Sequence, residues 1–177
     1  MNSDSHSLNS KRFDALFRRG TELLRRGETA KATQLLLRAH QLEPLHVDAA
    51  INLSGAYILS KKFKKAVALL EPLSQSEPDH VMIWTNLGAA YLGNPVLANN
   101  DEQLRAIDAF RQALDLNPDA PNVAYNIGLI YRDRRNYEKA IVWFERAVQT
   151  NPNDQDALNL MNRMRDLHAQ GKSDLKG

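Results

Sequence analysis

The fold is decided by residues 81–118, which read VMIWTNLGAAYLGNPVLANNDEQLRAIDAFRQALDLNP. Apolar or small residues recur there at i, i+3, i+4 and i+7, a spacing that places them on one face of an α-helix. A second stripe follows at i, i+4 and i+7, and Pro118 then ends the helical pattern, because the residue before a proline is pushed out of helical geometry. The stretch therefore predicts two packed helices. The first stripe is Trp84, Leu87, Gly88 and Tyr91, and the second is Ala106, Phe110 and Ala113.

The same helix pair recurs four times along the chain. The terminating prolines stand 34, 40 and 34 residues apart, and one alanine of each second helix keeps these intervals. A fixed period of this length is typical of a repeat array. The predicted units are 13–46, 47–80, 81–120 and 121–154, and the six additional residues of the third unit are expected to form a loop between Leu92 and Arg105. The recurring residues are Pro44, Pro78, Pro118 and Pro152, with Ala32, Ala66, Ala106 and Ala140.

A further helix is expected over residues 154–170, after the last unit. It has an apolar stripe, and repeat arrays need a terminal helix that covers the apolar face of the last repeat. The polar, serine-rich residues 1–10 and the polar residues 171–177 are expected to be disordered tails. The stripe consists of Ala157, Leu158, Met161, Met164 and Leu167.

These units resemble the tetratricopeptide repeat. The resemblance covers roughly residues 13–154; it is strongest in the third and fourth units and looser in the first two. It implies an all-α fold, a right-handed superhelix of four helix pairs with a capping helix at the C-terminal end. It also implies a concave groove lined by the first helix of each pair. The matching residues are Trp84, Leu87, Gly88, Tyr91, Ala106, Phe110, Ala113 and Pro118, then Gly128, Tyr131, Ala140, Phe144, Ala147 and Pro152.

The function that this resemblance implies is protein binding. We expect an interaction module that holds a peptide segment of a partner protein in the groove, in an adaptor or assembly role. The alternative is a structural scaffold that self-associates into homo-oligomers through exposed repeat faces. No enzymatic function is expected.

Residue types exclude most classes of chemistry. The chain has no cysteine, which excludes disulfides, thiolate metal sites and cysteine nucleophiles. The five histidines lack metal-ligand spacing, and His46 and His80, in equivalent turns between repeats, are expected to be solvated. The eight glycines are scattered and form no phosphate-binding loop. We therefore expect no metal and no cofactor.

Charge and hydropathy bear on the partner and the compartment. A formal net charge of +2 gives no reason to expect nucleic acid or a membrane surface as the partner. The first residues lack the apolar segment of a signal peptide. No stretch reaches the roughly 18 consecutive apolar residues of a membrane span. A cytoplasmic location is therefore expected.

One repeat position marks the expected groove, because it carries asparagine in three successive units. An asparagine amide can both donate to and accept from the backbone of an extended peptide. The same position in the first unit is an arginine that could bind a carboxylate, and apolar residues lie beside the row. Either these residues contact a ligand, or the asparagines are a family habit and the apolar residues pack between repeats. The candidate groove residues are Arg18, Ile51, Asn52, Met82, Asn86, Tyr125, Asn126 and Leu129.

A chaperone tail is not the expected partner. Family members that bind the C-terminal carboxylate of cytosolic heat-shock chaperones use a clamp of lysine, asparagine and arginine side chains. In this chain only Asn52 fits that pattern. The other clamp positions hold Phe17, Thr21, Met82 and Asn86.

The turns within pairs are basic and the turns between pairs are acidic. Cations near the ends of first helices complement the helix dipole, which is one explanation. The other is an acidic partner that docks along the basic residues, whose binding would weaken with added salt. The insertion near residues 93–100 interrupts this rim and is either a tolerated loop or a second contact site. The basic rim consists of Arg25, Arg26, Lys61, Lys62, Lys64, Lys65, Arg134 and Arg135.

Overall fold

The computed structural model describes residues 2–94 and 97–174 of the chain. Within these ranges the chain forms nine α-helices and no strand. Helices pair in chain order, and the ninth packs against the eighth, so the fold is the predicted helical solenoid of four pairs with a closing helix. The helices are α1 (Asn2–Arg25), α2 (Thr29–Leu42), α3 (Val47–Leu59), α4 (Phe63–Ser76), α5 (Val81–Leu92), α6 (Asn100–Leu116), α7 (Val123–Asp133), α8 (Tyr137–Thr150) and α9 (Gln155–Asp174).

The helices of a pair approach most closely where a glycine faces a large apolar side chain. A Cβ atom added to Gly88 would lie 2.6 Å from the Phe110 ring, and one added to Gly128 would lie 2.7 Å from the Phe144 ring. Both phenylalanines are completely buried. Because a close-packed interior leaves such rings little room to move, packing requires a residue without a side chain at both positions.

The apolar core consists mainly of two large clusters that each run through several repeats. One cluster joins residues from α1 to α6, and the other joins residues from α5 to α9. Trp84 and Tyr91, both on α5, pack against both clusters. Each repeat therefore buries its apolar face against its neighbours, and its stability depends on them.

Three of the turns within pairs share one backbone geometry. The residue after the helix C-cap has a left-handed backbone in each: Gly27 (φ 76°), Lys61 (φ 57°) and Arg135 (φ 56°). At Lys61, the residue's own N–H donates to the Ile58 carbonyl at 2.9 Å, and the following N–H donates to the Tyr57 carbonyl at 2.8 Å. This is the Schellman arrangement, in which glycine is the favoured residue because a Cβ atom strains the left-handed backbone.

Replacing Lys61 with glycine is expected to raise the free energy of unfolding by about 0.5–1 kcal/mol, because the strain at φ 57° is relieved. Urea unfolding followed by circular dichroism measures the change. Lys62→Gly is the matched control, since the backbone of Lys62 has a φ of −91° and carries no such strain. An equal effect of the two substitutions would contradict the explanation.

The six additional residues of the third unit are only partly a loop, which corrects the expectation from sequence. Helix α6 has 17 residues, whereas α2, α4 and α8 have 14 each. A capping box starts α6 early: Asn99 Oδ1 accepts from the Glu102 N–H, and Glu102 Oε2 accepts from the Asn99 N–H, both at 2.9 Å. Reciprocal capping satisfies two backbone donors, so the helix begins one turn before its counterparts.

Both ends of the chain are more helical than expected. Helix α1 begins at Asn2, so residues 2–10 are not the predicted disordered tail, and α9 continues past residue 170 to Asp174. Met1 and residues 175–177 lie outside the described residues, and so does that part of the prediction. Extending an existing helix costs far less than nucleating one, and residues 2–10 contain no proline or glycine that would stop it.

The turn histidines His46 and His80 are half-buried, so the expectation that they are solvated was wrong. His46 is the N-cap residue of α3: its Nδ1 accepts from the Ala49 N–H at 3.3 Å. Its ring also lies 4.7 Å from the Phe13 ring, centroid to centroid. The cap position turns the imidazole back onto the preceding helix pair, which removes it from water.

The half-buried imidazole of His40 is expected to make the folded chain less stable in mild acid. Burial lowers the pKa of this side chain below its usual 6.5, and its Nδ1 is buried with no hydrogen-bond partner among the described residues. The unfolded chain therefore binds the proton more readily than the folded chain does. We expect the free energy of unfolding to decrease as the pH falls through 6.5 towards the lower folded pKa.

Urea unfolding of wild type and His40→Gln across this pH range measures the effect. The unfolding free energy of the wild type minus that of the variant should decrease as the pH falls, because only the wild type carries the His40 imidazole. His168→Gln serves as a comparison for loss of a histidine elsewhere. A difference that does not change with pH would contradict the assignment to His40.

Candidate functional site

The asparagines expected in the groove connect successive first helices. Asn52 on α3 donates through Nδ2 to the Thr21 hydroxyl on α1 at 2.9 Å. Asn86 on α5 donates to the Ser54 hydroxyl on α3 at 3.0 Å and to the Ile51 carbonyl at 3.4 Å. For these two asparagines the amide donors are therefore used between repeats, and only the Oδ1 atoms remain for the ligand contact expected from the sequence.

Asn126 on α7 differs from the other two. Asn86 donates to Ser54 on the preceding first helix. The equivalent residue on the first helix that precedes Asn126 is Gly88, which has no hydroxyl to accept a hydrogen bond. Within the part of the chain that the structure describes, the Asn126 side chain makes no hydrogen bond, and it is half-buried. Its amide can therefore both donate to and accept from a ligand.

The apolar candidates divide into one core residue and three accessible ones. Ile51 is only 6% exposed and belongs to the core, so its expected place in the groove was wrong. Met82, at the start of α5, is 45% exposed. Tyr125 and Leu129 on α7 are half-buried, and the Tyr125 ring meets the Phe144 ring edge-on at 5.8 Å. The helical register places Met82 on the face of α5 that carries Asn86, and Tyr125 and Leu129 beside Asn126.

Tyr125 also borders a cavity that sequence reasoning missed. The cavity has a volume of about 460 Å³ and lies between α7, α8 and the turns around Asp119 and Asp154. Burial, reinforced by the charges of Asp156 and Asp154, raises the pKa of Tyr125. The Tyr125 hydroxyl, which like any tyrosine hydroxyl is protonated at neutral pH, can donate a hydrogen bond. The signal in the sequence was the recurrence of acidic residues in the turns between pairs.

Arg18 and all eight residues of the basic rim are exposed. Some rim cations have partners: Arg25 pairs with Glu22, and Arg134 donates to Gln103 at 3.3 Å. The helix dipole does not account for Lys62 and Lys64. Lys62 is the N-cap residue of α4 and Lys64 lies in its first turn, where a cation is unfavourable. These two cations are therefore placed against the dipole, whereas Lys61 and Arg135 follow the C-terminal ends of α3 and α7, where the dipole favours a cation.

The described residues include neither a membrane-spanning helix nor a cluster of metal ligands. None of the described helices is both long enough and apolar enough to cross a membrane. Within the same residues, no group of three or more histidine, aspartate or glutamate side chains is placed to hold a metal ion.

Comparison with known proteins identifies the repeat. Models described as tetratricopeptide repeat match residues 23–90 and 102–155, which together make up more than half of the chain. The Photosystem I assembly protein Ycf3 of Prochlorococcus marinus subsp. pastoris is 33% identical over 61 residues, 30% of this chain and 35% of that protein. Ycf3 of Prochlorococcus marinus strain NATL2A is 35% identical over 60 residues, 30% of this chain and 34% of that protein. The chain thus spans about a third of the length of the curated relatives it matches.

Solved structures show the same fold. A crystal structure of MamA protein has a TM-score of 0.72 at 20% identity, covering 94% of this chain and 88% of that one. MamA from Desulfovibrio magneticus RS-1, from residue 41 onwards, has a TM-score of 0.66 at 23% identity, covering 81% and 77%. A tetratricopeptide repeat protein from Parabacteroides merdae has a TM-score of 0.65 at 19% identity, covering 90% and 62%. None of these matches indicates a catalytic family.

Proposed function

Because this chain belongs to the tetratricopeptide repeat family, we propose that it is a non-enzymatic module that holds a peptide segment of a partner protein in the groove of its first helices. The observation that carries the proposal is the open amide of Asn126. It lies beside Tyr125 and Leu129, and the half-exposed Met82 lies on the preceding first helix. Polar groups with unmet hydrogen bonds beside accessible apolar side chains are what a peptide site requires.

Contact with the ligand is concentrated at the third and fourth units. The donors of Asn52 and Asn86 are committed between repeats, which leaves only their Oδ1 atoms for a ligand. Asn126 would bond the peptide backbone, while an apolar side chain of the peptide covers Met82. Ordering a short peptide on binding is costly, so we expect an affinity in the micromolar range.

Site-specific photo-crosslinking tests the groove. A photoreactive amino acid replaces Met82 in one variant and Gln34, exposed on the second helix α2, in the other. Both are irradiated in a lysate of the source organism, and adducts are identified by mass spectrometry. We expect a discrete adduct from position 82 and none of the same mass from position 34. Equal adducts from both positions, or none from position 82, would reject the groove.

Asn126→Ala is expected to weaken binding of the cross-linked partner by about three- to tenfold, because one ligand hydrogen bond is lost, while the free energy of unfolding stays unchanged. Asn52→Ala should do the reverse. It removes the bond to Thr21, so we expect it to lower the unfolding free energy by about 1 kcal/mol and to leave the affinity nearly unchanged. Calorimetric titration and urea unfolding measure the two quantities. An Asn126→Ala protein that binds normally would remove this residue from the site.

An assembly role is the form of this function that we favour, since the two curated relatives are named as photosystem I assembly proteins. Self-association is the second candidate, and one observation favours it. Unpaired lysines lie at the turn between α3 and α4, while exposed acidic residues such as Glu77 and Asp119 lie in the turns between pairs, so these two edges of different copies would attract each other. Light scattering across a concentration series at low and high salt separates the two. A mass that rises with concentration only at low salt indicates self-association.

Several narrower expectations remain proposals. We propose protein as the partner class, without nucleic acid, membrane or cofactor, because a formal net charge of +2 gives little attraction for a polyanion or an anionic surface. The cytoplasmic location expected from the sequence also stays a prediction, which cell fractionation tests.

A further inference from the structure

The insertion of the third unit helps to form an apolar cavity outside the groove. The cavity has a volume of about 450 Å³ and is bounded by α4, the end of α5, the start of α6, and Gly93, Asn94, Leu97 and Ala98 between α5 and α6. Helices α4 and α6 are second helices of their pairs, so the cavity opens away from the groove proposed above. Its apolar lining includes Phe63, Val67, Ala68, Leu92, Leu97 and Ala98.

One wall of this cavity exposes a large apolar side chain. Leu92 is buried in the floor, whereas Leu97 is 77% exposed although it borders an apolar concavity. Gly93 beside it has a left-handed backbone (φ 56°), which turns the chain away from α5 at this point. Accessible apolar surface around a concavity is typical of a protein contact site.

The carboxylates at the mouth are already engaged. Glu71 Oε1 accepts from the Tyr91 hydroxyl at 2.9 Å and from Arg105 at 2.5 Å. The guanidinium of Arg105 also lies 4.0 Å from the Tyr91 ring centroid. Glu102 is held in the capping box of α6. The negative charges near the cavity are therefore paired with groups of this chain.

Three lysines in and next to the first turn of α4 have no ion-pair partner among the described residues, and one of them lines the cavity. Lys61, Lys62 and Lys64 are exposed, and no carboxylate of the described residues lies within ion-pair distance of them. Lys64 itself lines the cavity. Two of the three lie at the start of α4, where the helix dipole opposes a cation, and no ion pair within the described chain offsets that cost.

We propose that this cavity is a second docking site, which binds an acidic segment of a partner protein. A bulky apolar side chain of that segment enters the cavity between Phe63 and Leu97, and flanking carboxylates lie against Lys61 and Lys64. Charge complementarity selects the acidic partner, because the chain's own carboxylates at the mouth are occupied and its lysines are not. The proposal goes beyond the groove function and does not depend on it.

A peptide selection tests the proposal on the full chain. A phage-displayed library of random dodecapeptides is panned against the wild-type protein and counter-selected on Leu97→Asp. Because Leu97 is largely exposed, the substitution should leave the fold intact, which circular dichroism verifies. We expect the surviving peptides to carry a leucine, phenylalanine or tryptophan flanked by aspartate or glutamate.

The enriched peptide is then synthesised with a fluorescent label and titrated by anisotropy. Leu97→Asp and the double variant Lys61→Glu/Lys64→Glu should each weaken it about tenfold or more, and raising the salt from about 50 to about 500 mM should weaken it in the wild type. Lys11→Glu/Arg12→Glu, an equal charge reversal at two exposed residues of α1, should have no comparable effect. Asn126→Ala should leave this affinity unchanged, which separates this site from the groove.

Three results would overturn the proposal. One is that no peptide survives the counter-selection. The second is that the surviving peptides lack acidic residues. The third is that their binding is weakened by Asn126→Ala but not by the variants at the cavity.

Discussion

Replacing Gly88 with alanine is expected to lower the free energy of unfolding by about 1–3 kcal/mol, although alanine is the better helix former. The added methyl group would lie 2.6 Å from the Phe110 ring, which is completely buried and cannot move aside without displacing its neighbours. Urea unfolding measures the loss. Gly55→Ala is the matched control within the same array, since a Cβ atom added to Gly55 would lie no closer than 4.0 Å to a neighbouring helix, at the Asn86 amide nitrogen. There the substitution should stabilise the chain by up to about 1 kcal/mol.

The second unit indicates how the loss of stability caused by Gly88→Ala can be reduced. Ser54 occupies the position equivalent to Gly88, with Leu70 in the position of Phe110, and both residues are completely buried. A side chain is therefore tolerated when the facing residue is leucine. We expect the double variant Gly88→Ala/Phe110→Leu to lose less stability than the sum of its two single variants, because the sites are coupled through one contact. If the loss of stability in the double variant equals the sum of the losses in the two single variants, the Phe110 ring is not what destabilises Gly88→Ala.

Removing α9 by truncation after Asn153 is expected to have the largest effect, a loss of about 3–6 kcal/mol for the two methionines that it buries. Met161 and Met164 pack into the second core cluster, and without them the apolar face of α8 is left open to water. Stability in a repeat array depends on nearest neighbours, so the fourth unit should unfold before the others.

The two tryptophans report this order separately, because Trp84 lies in the third unit and Trp143 in the fourth. In single-tryptophan variants of the truncated chain, the fluorescence of Trp143 should change at a lower urea concentration than that of Trp84. Truncation after Gln170 is the control, since it leaves the packed part of α9 in place. Coincident transitions at the wild-type midpoint would show that α9 is not the cap of the array.

Sequence reasoning predicted the parts of the fold that depend on local periodicity. Gly88 and Phe110 were assigned to facing helices from their spacing alone, because 3.6 residues per turn decides which side chains share a face. The closing helix followed from the stripe that ends at Leu167, which only an apolar neighbour can cover. The lengths of α1 and α6 could not be predicted from periodicity, since helix ends depend on caps and on how far an existing helix extends.

The tertiary structure decided what the candidate groove residues do. The sequence alone determined that Asn52, Asn86 and Asn126 occupy one repeat position, but the acceptors that engage the first two lie 31 and 32 residues away, on the preceding first helix. Whether an amide is free depends on how closely two helices approach and on which residue stands opposite. Gly88 stands where Ser54 does one unit earlier, so Asn126 stays open. Periodicity therefore determines the face on which a residue lies, and only packing between repeats determines whether that residue remains available to a partner.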